Sequence, residues 1–178
     1  LDSVDPAARQ LALGALHRMG KLTDADVRVA LTDAAAVVRR RGASWAARRP
    51  ASSGLAALPD EEATVVETAA WAAGEQETVS DDVLARLVDL ALTATDPLLR
   101  EAAVAALGAI GDERGLPAIL AGCADKPNIR RRAVLALAPF SGAAVDAALA
   151  AALSDRDWQV RQAAEDLLPH MTDDPENS

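Results

Sequence analysis

Among its 178 residues the chain has no tyrosine, one phenylalanine and three tryptophans. Strands draw on aromatic and β-branched residues. The apolar half of this sequence is mostly alanine, leucine and valine, and alanine heads the helix-propensity ranking. A sheet protein is therefore excluded and an all-helical one expected, with helices close together because their side chains are small. Cysteine is nearly absent too. Cys123 stands alone, which excludes an internal disulfide framework and a cysteine-rich metal site. Its setting, LPAILAGCA, reads as a small core position.

Histidine is equally sparse. His17 and His170 fall at opposite ends of the chain, and nothing in the sequence brings either to Cys123 or to a carboxylate pair. Metal centres and nucleophile–base pairs need several such groups converging. No catalytic residue, metal or cofactor is therefore expected, and the chain is read as not an enzyme. No phosphate-binding glycine fingerprint occurs; Gly108, Gly111 and Gly115 sit at a helix exit, where glycine belongs. No run approaches the roughly 18 apolar residues of a membrane span and no signal peptide is evident, so no membrane partner is expected and the default location is the cytoplasm.

Positive charge is in deficit overall, with 18 Lys and Arg against 27 Asp and Glu and a net charge of −9. Nucleic-acid-binding domains are usually basic, and this balance argues against one. The charge is uneven, however. Residues 1–50 hold nine basic against five acidic side chains, residues 51–128 four against fourteen, and residues 129–178 five against eight. Such a gradient is either an ordinary solvated surface or a means of orienting a charged partner.

What the sequence does have is a repeat. ARQLALGAL from Ala8, VRRRGASWA from Val38, VVETAAWAAG from Val65, LREAAVAALG from Leu99, IRRRAVLAL from Ile129 and VRQAAEDLL from Val160 align with one another. Their second positions, Arg9, Arg39, Val66, Arg100, Arg130 and Arg161, recur at steps of 30, 27, 34, 30 and 31 residues. A period in this range marks stacked supersecondary units. Each copy has helical spacing, as in Leu99, Ala103, Ala106, Leu107 and Ile110. Pro6, Pro97 and Pro127 stand three residues before the marker arginine, in the first helical turn, and Asp5 and Asp96 are placed to cap. A second helical segment precedes most copies, at residues 23–31, 52–58, 80–94, 115–122 and 142–153. Thr23 and Asp26 form a capping-box pattern at the first of these. A helix pair of this size cannot bury its apolar stripe alone, and stacking about six of them can.

The recurring L-x-D-x-x-x-x-V-R-x-x-A-x-x-A-L-G pattern resembles HEAT-like repeats of the short variety found in phycobilin lyases. LTDAAAVVRRR (31–41), LSDRDWQVRQAA (153–164) and DPLLREAAVAALGAIGD (96–112) carry the resemblance, which runs from about Asp2 to Pro169. It implies an α-α superhelix of armadillo-like type, one domain over residues 1–169 with a polar tail at 170–178, and second helices lining a concave face. It also implies a hydrogen-bonded ladder between neighbouring repeats, carried by Asp33 with Arg39 and Asp155 with Arg161, and by Arg100 and Arg130 at equivalent positions. Val66 interrupts that ladder at the third repeat.

The positions one and five residues beyond the marker fall between the buried stripes. They read Gln10, Arg40, Glu67, Glu101, Arg131 and Gln162, then Gly14, Ser44, Trp71, Ala105, Leu135 and Asp166. Candidate partner-binding residues are therefore Arg40, Arg41, Glu67, Trp71, Glu101, Arg131, Arg132 and Trp158. Exposed tryptophan and arginine are favoured anchors in interfaces. Trp45, six beyond its marker where other repeats have alanine or leucine, reads as core. Trp158 reads either as a cover for the end of the array against Pro169–Met171 or as a contact point. The expected function is a non-enzymatic scaffold for a protein or peptide partner. Two alternatives follow from the resemblance alone: a nucleic-acid-binding protein like HEAT-like DNA-repair glycosylases, or a lyase-like subunit.

Overall fold

The structure, a computed structural model, describes residues 1–47 and 58–172, with the side chains of 169–172 outside that description. Ten α-helices occupy the described residues, and no strand occurs among them. They are α1 (Pro6–Arg18), α2 (Asp24–Leu31), α3 (Ala36–Ala46), α4 (Ala63–Gly74), α5 (Asp81–Thr93), α6 (Pro97–Ile110), α7 (Leu116–Gly122), α8 (Pro127–Ala136), α9 (Ala143–Ala152) and α10 (Trp158–Thr172). A short 3-10 turn, Glu113–Gly115, leads into α7. The marker positions fall on α1, α3, α4, α6, α8 and α10. The preceding helices of the second, fourth, fifth and sixth repeats are α2, α5, α7 and α9. The segment expected to fill that slot in the third repeat, 52–58, lies outside the described residues apart from Leu58.

Local chemistry explains the helix starts. The Asp5 carboxylate accepts from the Ala7 amide and Asp96 from the Leu98 amide, each just ahead of a proline at the first helical position. Thr23 and Asp26 satisfy each other's backbone amides in a capping box. α6 ends at Gly111, whose φ of 69° lies in the left-handed region that glycine adopts freely.

The chain forms two compact units that divide between Val83 and Leu84, inside α5. In the first unit α3 packs on α1, α2 and α4, around Leu13, Val27, Val38, Ala43, Val65 and Ala69, all essentially solvent-free. In the second, α8 packs on α6, α7, α9 and α10, around Val104, Leu107, Ile119, Ile129, Leu137 and Val160. Complete burial of a leucine such as Leu107 contributes about 2–3 kcal/mol. The small residues set the spacing. A Cβ added at Gly108 on α6 would stand 2.5 Å from Cβ and 2.7 Å from Cα of Ala136 on α8, so no side chain fits there without separating the helices.

Within each unit the marker arginines staple one turn to the next. Arg9 donates from Nε and Nη2 to both carboxylate oxygens of Asp33, each at 2.7 Å. Arg39 does the same to Asp60 at 2.6 and 2.9 Å, Arg100 to Asp125 at 2.7 and 3.0 Å, and Arg130 to Asp155 at 2.8 Å twice. Such forked, charge-assisted pairs are the strong class of hydrogen bond. Nη1 points the other way. It donates to backbone carbonyls of the arginine's own turn: Arg39 to Asp33 O at 2.9 Å, Arg130 to Asp125 O at 2.9 Å and Arg161 to Asp155 O at 2.7 Å. The side chain of Asp33 thus meets Arg9, while Arg39 takes the backbone of Asp33 and the side chain of Asp60. Likewise Asp155 gives its carboxylate to Arg130 and its carbonyl to Arg161. Each carboxylate also caps its own turn, accepting from the amides of Ala35, Glu62, Lys126 and Asp157 respectively. The arginine hydrogen bond is the chief reason that Asp33, Asp60, Asp125 and Asp155 are held below the ordinary carboxyl value of 3.8.

Val66, 3 % exposed, takes the arginine's place on α4. Six residues before Arg39, Val66 and Arg161 stand Asp33, Asp60 and Asp155, but Ala94 stands six before Arg100. The sequence pattern of aspartate and arginine is thus interrupted at Val66 and at Ala94.

Candidate interaction surfaces

In the second unit, residues four apart on α8 and α10 bring a set of side chains to one side. Arg131 and Leu135 from α8, with Trp158, Gln159, Gln162, Ala163 and Asp166 from α10, line a groove of about 230 Å³. Four of these residues, Arg131, Leu135, Gln162 and Asp166, are the ones the repeat alignment places one and five beyond the marker. Trp158 is 64 % exposed, an unusual outlay of apolar surface. Gln162 donates to Asp166 at 2.7 Å along α10. Asp157 accepts from the Gln159 amide at 2.9 Å, fixing the helix start. The groove thus offers an indole, a leucine, one guanidinium, one carboxylate and two primary amides. It is suited to a chain carrying both apolar side chains and backbone amides.

The side chains of the Pro169–Met171 exit, the expected packing partners of Trp158, lie outside the described residues. Trp158, in the first turn of the same helix, lines the groove.

Glu101 and Arg132 face each other between α6 and α8 at 3.9 Å, and Asn128 donates to Glu101 at 2.6 Å. In the first unit Trp71 is 47 % exposed on α4, Arg40 is exposed and Glu67 is half-buried. Arg41 lies with its guanidinium carbon 4.9 Å from the centroid of Trp45. His17 stacks on the same indole, ring centroids 3.9 Å apart and planes inclined by 28°. Trp45 is accordingly half-buried under His17 and Arg41. The association of His17 on α1 with Trp45 on α3 has no sequence signature.

Cys123 is half-buried, and burial pushes its thiol up to about 11. At neutral pH it is a protonated thiol, the unreactive form. Among the described residues no group of three His, Cys, Asp or Glu side chains is placed to hold a metal ion, and no helix is long and apolar enough to cross a membrane. The side chain of His170 lies outside the described residues.

Stacked helix pairs stapled by arginine–aspartate rungs define a helical-repeat protein, and residues 51–138 match the family model described as HEAT repeats. This stretch of the chain carries HEAT-like repeats. Solved structures share the fold. The Escherichia coli protein YibA aligns with a TM-score of 0.64 at 19% identity, over 90% of this chain and 63% of its own, so this chain spans a little under two-thirds of that protein's length. An engineered protein aligns with a TM-score of 0.62 at 20% identity, over 92% of this chain and 84% of its own. No curated protein is a significant match by sequence.

Proposed function

We propose that the chain is a non-enzymatic interaction scaffold that holds a protein or peptide partner along the face its second helices present. The groove between α8 and α10 carries this reading, because it joins an exposed Trp158 to Arg131 and to the amides of Gln159 and Gln162. Aromatic and arginine anchors ringed by polar groups are the usual composition of an energetic centre in an interface. The raised thiol of Cys123 offers no nucleophile to a competing enzymatic reading. The net charge of −9 disfavours a polyanionic partner along the whole face.

The test is crosslinking capture from native cells with a photoreactive group at Gln159. The expected result is a defined partner whose yield drops at least tenfold in Trp158→Ala and in Arg131→Ala, with helical content by circular dichroism unchanged. Capture that persists in both variants overturns the groove assignment.

A further inference from the structure

Arg41 and Arg132 occupy the same place in their repeats, two residues after the marker arginine. Arg132 faces Glu101, which stands one residue after the marker of the preceding repeat. The corresponding residue for Arg41 is Gln10, which has no charge. Arg41 turns over Gly14 and Trp45 instead. A Cβ built on Gly14 would stand 3.2 Å from Arg41 Nη2 and 3.5 Å from Arg18 Nη1, so two guanidinium tips converge on one point above a bare stretch of α1. Among the described residues neither arginine has a carboxylate partner. Two donors, Arg41 Nε and Trp45 Nε1, are buried without a hydrogen-bond partner. Such orphaned donors each cost about 1–3 kcal/mol, and two like charges facing one another add repulsion. A dianion between the two guanidinium tips would remove that repulsion.

We propose that Arg18 and Arg41, beside the Trp45 indole on which His17 stacks, form a binding site for a phosphate monoester, borne as a phosphorylated serine or threonine on the scaffold's protein partner. Two guanidinium groups match the charge of a monoester, about −1.5 to −2, and its three acceptor oxygens. A phosphodiester carries one charge. The fourteen acidic residues of 51–128 would repel an extended polyanion, whereas one phosphorylated side chain within a neutral or basic stretch meets no such barrier. The assignment to a protein partner rests on the scaffold reading above. The anion site itself does not, and it is read separately from the groove.

The experiment follows the Trp45 indole N–H by two-dimensional nitrogen–proton NMR in the full chain. The probes are inorganic phosphate, a lysine-flanked phosphoserine peptide, its unphosphorylated counterpart, and a single-stranded oligonucleotide. The expected result is a saturable shift of that signal with the phosphopeptide and with phosphate, none with the unphosphorylated peptide, and at least tenfold weaker binding in Arg41→Gln and Arg18→Gln. Arg18 is exposed, so its variant carries the test should Arg41→Gln lose its fold. Failure of phosphate and phosphopeptide to move the signal, or equal binding by the folded variants, overturns the site. Binding of phosphate alone, or tighter binding of the oligonucleotide, overturns the phosphoprotein assignment. Either result leaves capture at Trp158 standing or falling on its own.

Discussion

Arg41 and Arg132 share a repeat position and differ in their company. In the second unit the arginine is neutralised by Glu101 and becomes a surface ion pair. In the first, a glutamine in the glutamate's place leaves the arginine to converge with Arg18 over Gly14. A repeat fold sets where a side chain stands. What that side chain can do is set by one residue on the neighbouring helix, about thirty positions away in sequence.

The strongest way to break the comparison is to ask whether these face arginines resemble the marker arginines beside them. Arg130 is buried, its side chain 8 % exposed, and makes three hydrogen bonds. Removing it leaves a carboxylate and a carbonyl poorly satisfied, so Arg130→Ala is expected to destabilise the protein by about 2–3 kcal/mol. Arg132, 41 % exposed, belongs to the class of surface pairs worth roughly 0–1 kcal/mol, and Arg132→Ala should fall at the bottom of that range. Urea unfolding of the two variants measures the gap, and equal losses would remove the distinction between staple and face.

Acid titration gives a smaller effect. The rung aspartates have folded-state values below the ordinary 3.8. Their contribution is therefore complete above that value and is lost as pH falls through the lowered ones. Stability should decline below about pH 4. Asp155→Asn should flatten that decline, because the side chain can no longer take up a proton; a variant profile parallel to the wild type would contradict the assignment. The finest test transplants one unit's arrangement into the other. Gln10→Glu should give Arg41 the partner that Arg132 has and weaken phosphate binding severalfold, with stability unchanged within about 0.5 kcal/mol. NMR titration of the Trp45 indole with inorganic phosphate reads the first effect and urea unfolding the second.

Much of the fold was legible because it depends on local signals. Pro6 and Pro97 with their aspartate caps, and Pro127 without one, fixed helix starts, and the alanine and leucine spacing on α6 and α8 fixed buried faces. The pairing of Arg39 with Asp60 was harder to see. Both residues are in the pattern, but which carboxylate meets which guanidinium depends on how one turn stacks over the next. The groove was half legible. Arg131, Leu135, Gln162 and Asp166 follow from repeat arithmetic, while Trp158 and Gln159 enter because the first turn of α10 lies alongside α8. The cluster at Trp45 was read as core because its repeat equivalents are alanine and leucine, and an indole is too large to bury in the space an alanine fills. The excess is covered by His17 and Arg41, which no spacing rule announces.

The staple and the face are neighbours in sequence yet independent in space. Arg39, Arg40 and Arg41 follow one another, but each step along a helix turns the side chain by about 100°. The first fastens two turns, the second meets solvent and the third covers an indole. A lineage of such proteins can therefore rewrite its recognition code one codon away from the fastening without loosening it. Selection for a new partner need not compete with selection for an intact array, so the face residues can diverge rapidly while the rung holds still.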